Sequence, residues 1–247
     1  MIGTNANLGV SAPKEATLFV IATFMPAFAQ PTGLKLLASQ EGVRAWPGGF
    51  GYAKLGANYG PSMMANSEAR ERGYDQVLWL LNGLVTESGA SNFFVVWKTK
   101  DGKTQLVTAP LDGKIILDGV TRRSILQLAR ERLTDGSSGS DAVEVVERNF
   151  TMDELAEAAK EGRVIEAFAA GTAVSFPQVL DSPLYSDTKQ FFVAPIKIIC
   201  YKEEDLTIPM ARGNSGQYAA LIKSWLSNIM YGKEQHEWGV VVEEKDF

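Results

Sequence analysis

The chain has 247 residues, of which 45% are apolar and 21% charged, and its formal net charge is −5. This length and apolar content predict one large domain or two small ones with a sizeable core, and the acidic balance argues against nucleic acid or an anionic membrane surface as a partner. Cys200 is the single cysteine and His236 the single histidine, which disfavours a disulfide framework, a cysteine- or histidine-rich metal site and a Ser-His-Asp triad.

The pattern of apolar and turn-forming residues predicts a mixed, strand-rich chain. In chain order, the predicted elements are a strand at 15–25, a helix at 61–72, strands at 76–81 and 92–98, a helix at 121–133, a strand at 143–148, a helix at 151–162, strands at 164–168 and 192–201, and a helix at 215–231. Residues 26–52 and 136–140 predict irregular loops. Helices and strands do not alternate regularly, so the pattern is not that of a doubly wound fold.

Several of these boundaries carry a physical signal. Pro61 opens the first helix and Gly73 follows it, in keeping with the preference for proline at helix starts and glycine beyond helix ends. Asn82-Gly83 predicts a tight hairpin, and Thr151 with Glu154 forms a capping box. The apolar run in 15–25 is shorter than the ~18 residues that a membrane span needs, so it predicts a buried strand.

Four short motifs carry candidate chemistry: KLGANY at 54–59, TES at 86–88, DGVTR at 118–122 and GTA at 171–173. Taken alone, Lys54 among glycines is typical of a solvated surface lysine, and a P-loop is excluded because Lys54 lies between alanine and leucine. Glu87 taken alone is an exposed strand carboxylate, although the apolar strands around it favour burial. Thr121 is either an ordinary helix cap or part of a phosphate-binding helix start.

Together the four motifs supply what pyridoxal phosphate requires. Its aldehyde needs an amine, which Lys54 provides, and its ring nitrogen needs a carboxylate, which Glu87 provides. Its phosphate needs backbone N–H groups at a helix start, which Gly119-Val120-Thr121 provides. Tyr59 is either a core residue or a donor to the phenolate oxygen of the cofactor.

Longer runs in the same order resemble the branched-chain amino acid aminotransferases, whose fold also holds D-amino acid aminotransferases and aminodeoxychorismate lyase. The matching runs are RAWPGGFG (44–51), KLGANYGPS (54–62), EARERGYDQVLWL (68–80), TESGASNFFVVW (86–97), LDGVTRRSIL (117–126), VVERNFTMDEL (145–155), GTA (171–173), APIKIICYKEEDLTIP (194–209) and HEW (236–238). They cover nearly the whole chain and are nearest to the eukaryotic, fungal type. The resemblance implies an α+β fold: a strand-rich large domain built as a pseudo-barrel with surrounding helices.

The resemblance also implies roles by position. The residues implied to bind pyridoxal phosphate are Lys54, Tyr59, Glu87, Val120, Thr121 and Thr172. Lys54 would join the cofactor aldehyde and, once displaced, move the proton of the substrate α-carbon. The backbone around Thr172-Ala173 would bind the substrate carboxylate. The implied reaction moves an amino group between leucine, isoleucine or valine and 2-oxoglutarate, in a homodimer of the full-length form that is mitochondrial or cytoplasmic.

The chain departs from this family in its organisation. We expect residues 1–43 to be an interdomain or linker segment with a first strand, and residues 44–247 to be the cofactor-binding large domain. The small N-terminal domain of the family, which gives an arginine to the phosphate, is then missing. Residues 174–190 interrupt the family spacing after GTA, and their boundaries suggest a retained short intron; the alternative is a genuine surface loop.

These departures predict a chain that is poorly soluble or inactive, although its ancestor was an enzyme. A related aminotransferase of secondary metabolism is an alternative, for which Ala57 and Ala90 leave room because they differ from the family pattern. A non-catalytic remnant that pairs with a full-length subunit is a second alternative. A lyase of the same fold is disfavoured by the RAWPGG and HEW runs.

Overall fold

A computed structural model describes most of the chain. The described residues are 1–6, 9, 11–21, 33–39, 41–136, 142–172 and 193–240. Several regions with sequence predictions therefore lie outside the described residues: 22–25 of the first predicted strand, 26–32 and 40 of the predicted irregular segment, 137–140 of the predicted loop, Ala173, the insert at 174–190, and Phe192 of a later predicted strand.

The described part of the chain is an α+β fold, as the sequence predicts. Its elements are β1 (Ile2–Gly3), β2 (Ala16–Thr17), β3 (Leu34–Ala38), α1 (Ser62–Glu71), β4 (Gln76–Leu81), β5 (Leu84–Ser88), β6 (Ser91–Lys98), β7 (Thr104–Thr108), α2 (Val120–Arg132), β8 (Val143–Glu147), α3 (Met152–Lys160), β9 (Val164–Ala170), β10 (Val193–Tyr201), β11 (Glu204–Thr207) and α4 (Gln217–Met230). A short 3-10 helix spans Gly56–Asn58. None of these helices is long and apolar enough to span a bilayer.

Six strands close into a ring. Neighbours in the ring follow the order β3, β4, β5, β6, β9, β10 and back to β3. Strand β3 is parallel to both of its neighbours, whereas the other ring pairs are antiparallel. Strands β7 and β8 continue outward from β6, and β11 continues from β10. This ring is the pseudo-barrel that the family resemblance implies.

The apolar side chains of the ring divide between two main clusters. Alternate residues of a strand point to opposite faces, so Phe93 and Val95 of β6 belong to one cluster and Phe94 and Val96 to the other. The first cluster is covered by α3, and the second by α2 and α4. Because β6 is buried on both faces, the polar residues at its first end are enclosed as well.

Most local predictions are confirmed, with capping and turn chemistry as expected. The predicted strand at 76–81 has the bounds of β4. Asn82 and Gly83 both have positive φ, 51° and 78°, as a tight two-residue hairpin turn requires. Thr151 Oγ1 accepts a hydrogen bond from the Glu154 N–H at 3.0 Å. This is one of the two hydrogen bonds of a capping box, the one made by the side chain of the N-cap residue.

The first predicted strand is wrong in its described part. Only Ala16–Thr17 forms a strand, paired with Ile2–Gly3, and Leu18 and Val20 are 75% and 89% exposed. Up to Ile21, where its described part ends, the apolar run has no partner in the large sheet and is exposed. The strand that does enter the ring, Leu34–Ala38, lies in the segment predicted to be irregular. Its five residues follow Gly33, which has a positive φ of 93° that glycine adopts without steric cost.

Candidate active site

Lys54 lies on the irregular segment between β3 and α1. The Asn58 amide donates to the carbonyls of Phe50 at 2.8 Å and Ala53 at 2.7 Å, and these bonds fold the segment back on itself. Lys54 is exposed, and its Nζ lies 5.2 Å from the ring centre of Tyr59. The fold thus presents a primary amine next to a phenol ring.

Glu87 is a buried carboxylate on β5, with 2% of its surface exposed. Its Oε1 accepts hydrogen bonds from the Leu117 N–H at 3.1 Å and from Asn92 Nδ2 at 3.2 Å. Its Oε2 lies 2.6 Å from Arg44 Nη1 in an ion pair, but none of the described residues gives this oxygen a well-directed hydrogen bond. One oxygen is therefore satisfied by two donors, and the other is held by charge attraction.

Opposing effects act on the pKa of Glu87. Burial raises the pKa of Glu87 to about 7, although Arg44, the Leu117 N–H and the more distant charges of Lys54 and Arg122 all act to lower it. The positive charge of Lys54 is therefore among the groups that favour the ionised form of Glu87. A carboxyl group that titrates near neutral pH is a common property of functional sites.

We expect the free energy of unfolding to fall as the pH rises from about 4.5 to about 7. The pKa of Glu87 is raised in the folded chain from an ordinary value of 4.5, so the folded chain binds this proton more tightly than the unfolded chain. The contribution of this proton to the free energy of unfolding is fully present below pH about 4.5. It is lost as the pH rises through about 7, a change of about 3 kcal/mol. Urea unfolding of the chain and of Glu87→Gln across this range measures the difference in slope.

The comparison with Glu87→Gln is needed because a second buried carboxylate acts in the same direction. Glu166 accepts hydrogen bonds from the Tyr218 and Ala219 N–H groups at 3.0 and 2.6 Å, and burial raises its pKa. Its contribution remains in both proteins and cancels in the difference. If the slopes of the two proteins are equal between pH 4.5 and 7, Glu87 is not the group that titrates.

The start of α2 differs from the starts of α3 and α4 in its capping. Gly119 occupies the cap position, no side chain caps the first turn, and this turn contains no acidic residue. By contrast, Thr151 caps α3 and the Glu166 carboxylate caps α4. The N–H groups at the start of α2, with the helix dipole, suit a phosphate. Val120 and Thr121 are the first two residues of this helix.

The end of β9 approaches the same region. Ala170 pairs with Asn92 of β6, which in turn pairs with Glu87 of β5. Thr172 lies two residues after Ala170, the last residue of β9, and is exposed. The Ser91 hydroxyl nearby is buried and has no hydrogen-bond partner among the described residues. Of the sequence-predicted site residues, only Ala173 lies outside the described part.

The fold therefore gathers the predicted residues into two connected groups. Lys54 and Tyr59 lie together, and Lys54 acts electrostatically on Glu87. Through its bond to the Leu117 N–H, Glu87 is joined to the segment that leads into Val120 and Thr121. The residues fit pyridoxal phosphate, since a buried carboxylate oxygen without a directed donor suits a protonated ring nitrogen and an uncapped helix start suits a phosphate.

Sequence reasoning missed two residues of this site, Arg44 and Asn92. Arg44 is 5% exposed and also donates to the carbonyls of Gly51 at 3.2 Å and Ile115 at 3.2 Å. No local signal shows that its guanidinium pairs with Glu87. Asn92 could have been found, because a two-residue hairpin after Ser88 makes Asn92 the cross-strand neighbour of Glu87.

Comparison with known proteins gives a consistent result. The sequence profile of the family described as "Amino-transferase class IV" matches residues 2–179. The mitochondrial branched-chain-amino-acid aminotransferase of Schizosaccharomyces pombe is 41% identical over 245 residues, which are 97% of this chain and 52% of that protein. The cytosolic enzyme of that name from Saccharomyces cerevisiae is 43% identical over 250 residues, 98% of this chain and 60% of that protein.

A solved structure supports the fold. The branched-chain amino acid aminotransferase from Thermobaculum terrenum, in its PLP form, aligns with a TM-score of 0.57 and 25% identity over 85% of this chain and 55% of that chain. The chain thus spans a little over half the length of the relatives it matches.

Proposed function

Because this chain belongs to the class IV amino-transferase family, we propose that it binds pyridoxal phosphate and transfers the amino group of branched-chain amino acids to 2-oxoglutarate. The single observation that carries the proposal is the buried Glu87 carboxylate, which is ion-paired with Arg44 at 2.6 Å and bonded to the Leu117 N–H just before α2 at 3.1 Å. The names of the relatives support the substrate class. The PLP form of the Thermobaculum terrenum enzyme supports the cofactor.

We propose that Lys54 is the catalytic residue. When bound, pyridoxal phosphate supplies an aldehyde for an amine and a ring that accepts electrons from the substrate α-carbon. Lys54 would hold the cofactor through Nζ. Once released by the substrate amine, the same atom would move the proton from the substrate α-carbon to the cofactor carbon that carried the aldehyde. The nearby Tyr59 would donate its hydroxyl to the oxygen on the cofactor ring.

Glu87 would keep the ring nitrogen protonated. Its Oε1 is held by two donors and its Oε2 lies beside Arg44, so the carboxylate has a fixed orientation and a nearby positive charge that favours the ionised form. A charge-assisted hydrogen bond from the ring nitrogen to such a group is roughly twice as strong as a neutral one. This contact gives the ring its capacity to withdraw electrons.

The phosphate and the substrate carboxylate would be held by backbone turns. The uncapped N–H groups of Val120 and Thr121, together with the hydroxyl of Thr172, would bind the phosphate. The backbone around Thr172 and Ala173 would bind the substrate carboxylate. Residues 44–247 are proposed as the cofactor-binding unit, with β3 from the preceding segment completing its ring of strands.

The proposed partner is a second copy of the protein, in a homodimer. Three large side chains near Lys54 support an interface: Trp46, Phe50 and Tyr52 are 51%, 56% and 46% exposed. In the proposed dimer these side chains would lie together as one apolar patch, the kind of surface that contacts another chain. Relatives include mitochondrial and cytosolic forms, and either compartment suits the proposed function.

The test is a substrate panel. We expect slow formation of glutamate from 2-oxoglutarate with leucine, isoleucine and valine, and a rate at least ~10-fold lower with alanine, because each missing methylene in an apolar pocket costs about 1–3 kcal/mol of discrimination. Glutamate is measured with the purified chain after loading with pyridoxal phosphate, and an absorbance titration measures the loading separately.

Three results would redirect the proposal. Faster turnover of an amine outside the branched-chain class would favour the aminotransferase of secondary metabolism. Cofactor binding with no turnover of any amino acid would favour a remnant that pairs with a full-length subunit. Failure of the folded chain to bind pyridoxal phosphate would remove the basis for all roles assigned to Lys54 and Glu87.

A further inference from the structure

Asn92 lies where three parts of the proposed cofactor site meet. It is 4% exposed, it is the second residue of β6, and its side chain donates to Glu87. Its backbone pairs with Glu87 on one side and with Ala170 on the other. Ala170 is two residues before Thr172, so Asn92 lies between the carboxylate and the end of β9.

The side-chain nitrogen of Asn92 makes two hydrogen bonds. Nδ2 donates to the Leu117 carbonyl at 2.8 Å and to Glu87 Oε1 at 3.2 Å. The same Oε1 accepts from the Leu117 N–H at 3.1 Å, and the Gly119 N–H donates to the Leu117 carbonyl at 2.9 Å. These four bonds join Asn92, the carboxylate and the turn that leads into α2.

The side-chain oxygen of Asn92, Oδ1, explains why residue 119 is glycine. The φ of Gly119 is −68°, a value that any residue adopts, so backbone conformation does not require glycine. A Cβ at this position would lie 2.3 Å from Asn92 Oδ1, a distance that forces the amide to move. Asn92 therefore packs directly against the cap of the helix whose first N–H groups suit a phosphate.

We propose that Asn92 is a positioning residue that couples the carboxylate for the cofactor ring to the phosphate-binding start of α2. This inference rests on the proposed function, and it adds a mechanical link between two groups that bind opposite ends of one molecule. With the link in place, Glu87 and the turn at 117–119 form one preorganised unit. Without it, each must be ordered separately when the cofactor binds.

Hydrogen exchange in the cofactor-free chain tests the link directly. In Asn92→Ala and in the isosteric Asn92→Asp, we expect the Leu117 and Gly119 amides to exchange at least ~3- to 10-fold faster, the effect of one lost hydrogen bond. Amides of α3, such as Leu155, should keep their rates. Unchanged exchange at both Leu117 and Gly119 in the two folded variants would overturn the proposal.

Binding of inorganic phosphate and of pyridoxal phosphate supplies a second readout. Both should weaken about 3- to 10-fold in Asn92→Asp, although Asn92 is not among the residues proposed to touch phosphate. If Asn92→Asp binds inorganic phosphate and pyridoxal phosphate as tightly as the unaltered chain does, the amide donor of residue 92 is not required. Only the shape of its side chain then matters, and the proposal fails. The matched control is Thr108→Val, which removes a buried hydroxyl bonded to the Phe93 carbonyl at 2.7 Å on the neighbouring strand and should leave both affinities unchanged.

Gly119→Ala gives a test that keeps Asn92 in place. It should displace the amide and weaken phosphate binding as Asn92→Ala does, and it should have no further effect in the Asn92→Ala background, where the clash is gone. Additive losses would contradict the link. The titration of Glu87, which faces the charges of Arg44, Lys54 and Arg122, should also move to higher pH in Asn92→Ala because the carboxylate loses a donor.

The outcomes for the two proposals are distinguishable. If the unaltered chain binds no pyridoxal phosphate, the proposed function fails, but the exchange rates of Leu117 and Gly119 still decide whether Asn92 holds the turn. If the chain is active with leucine while the variants exchange and bind normally, the proposed function stands and the role of Asn92 is rejected.

Discussion

Replacement of Lys54 by arginine is expected to lower the rate of transamination by at least ~10⁴-fold, the upper range for loss of a proton-transferring group. Arginine keeps the positive charge that acts on Glu87 but has no amine that can bond to an aldehyde under these conditions. The loss should therefore be chemical and not structural. Glutamate formation with leucine and 2-oxoglutarate measures the rate, and urea unfolding shows whether the stability is retained.

A matched control separates this lysine from others. Lys103 is 70% exposed in a turn, and Lys103→Ala should keep the full rate. Reduction of the loaded chain with borohydride, followed by peptide mapping, should find the cofactor attached to Lys54. Attachment at another lysine, or full activity of Lys54→Arg, would show that position 54 is not the catalytic amine.

Replacement of Arg44 by methionine is expected to lower the free energy of unfolding by about 3–5 kcal/mol at pH 8, the usual result of leaving a buried charge without its partner. The ion pair joins Arg44 Nη1 and Glu87 Oε2 at 2.6 Å, and both side chains are almost fully buried. At pH 5 the loss should be smaller, because Glu87 then binds a proton and the uncompensated charge disappears. Urea unfolding at the two pH values measures both losses.

Two comparisons make the Arg44 prediction specific. In the Glu87→Gln background, Arg44→Met should cost much less at pH 8, since there is no carboxylate left to compensate. Lys160→Met, which breaks an ion pair whose side chains are both 58% exposed, should cost at most about 1 kcal/mol. An equal loss for Arg44→Met with and without Glu87 would mean that its bonds to the Gly51 and Ile115 carbonyls dominate instead.

Local signals in the sequence predicted most of the elements but not their arrangement. The capping pair Thr151 and Glu154 and the turn Asn82-Gly83 act between neighbouring residues, so their effect can be read along the chain. The partners of β3 cannot be predicted in this way, because its pairing with the parallel strands β4 and β10 depends on packing between distant segments. Residues 18–21 show the reverse case: their apolar, strand-like pattern forms no strand.

The residues of the candidate site likewise fall into those that local motifs predict and those that depend on the fold. Motifs supplied Lys54, Glu87 and Thr121 because each has the chemistry that one part of the cofactor needs, and their functional roles stay predictions. Arg44 was not predicted, because burial of a guanidinium beside Glu87 depends on the closed ring of strands. Asn92 was within reach of sequence reasoning, since the hairpin register alone pairs it with Glu87.

The parallel contact between β3 and β10 joins residues from early and late in the chain, such as Leu34 and Ile196. Contacts between residues so far apart in sequence slow folding, because a long loop must close before they form. Until β10 has been synthesised, β3 keeps an unpaired edge that can template association with other nascent chains. The yield of soluble protein should therefore depend on how many newly made chains are present at once, and slower expression should raise it.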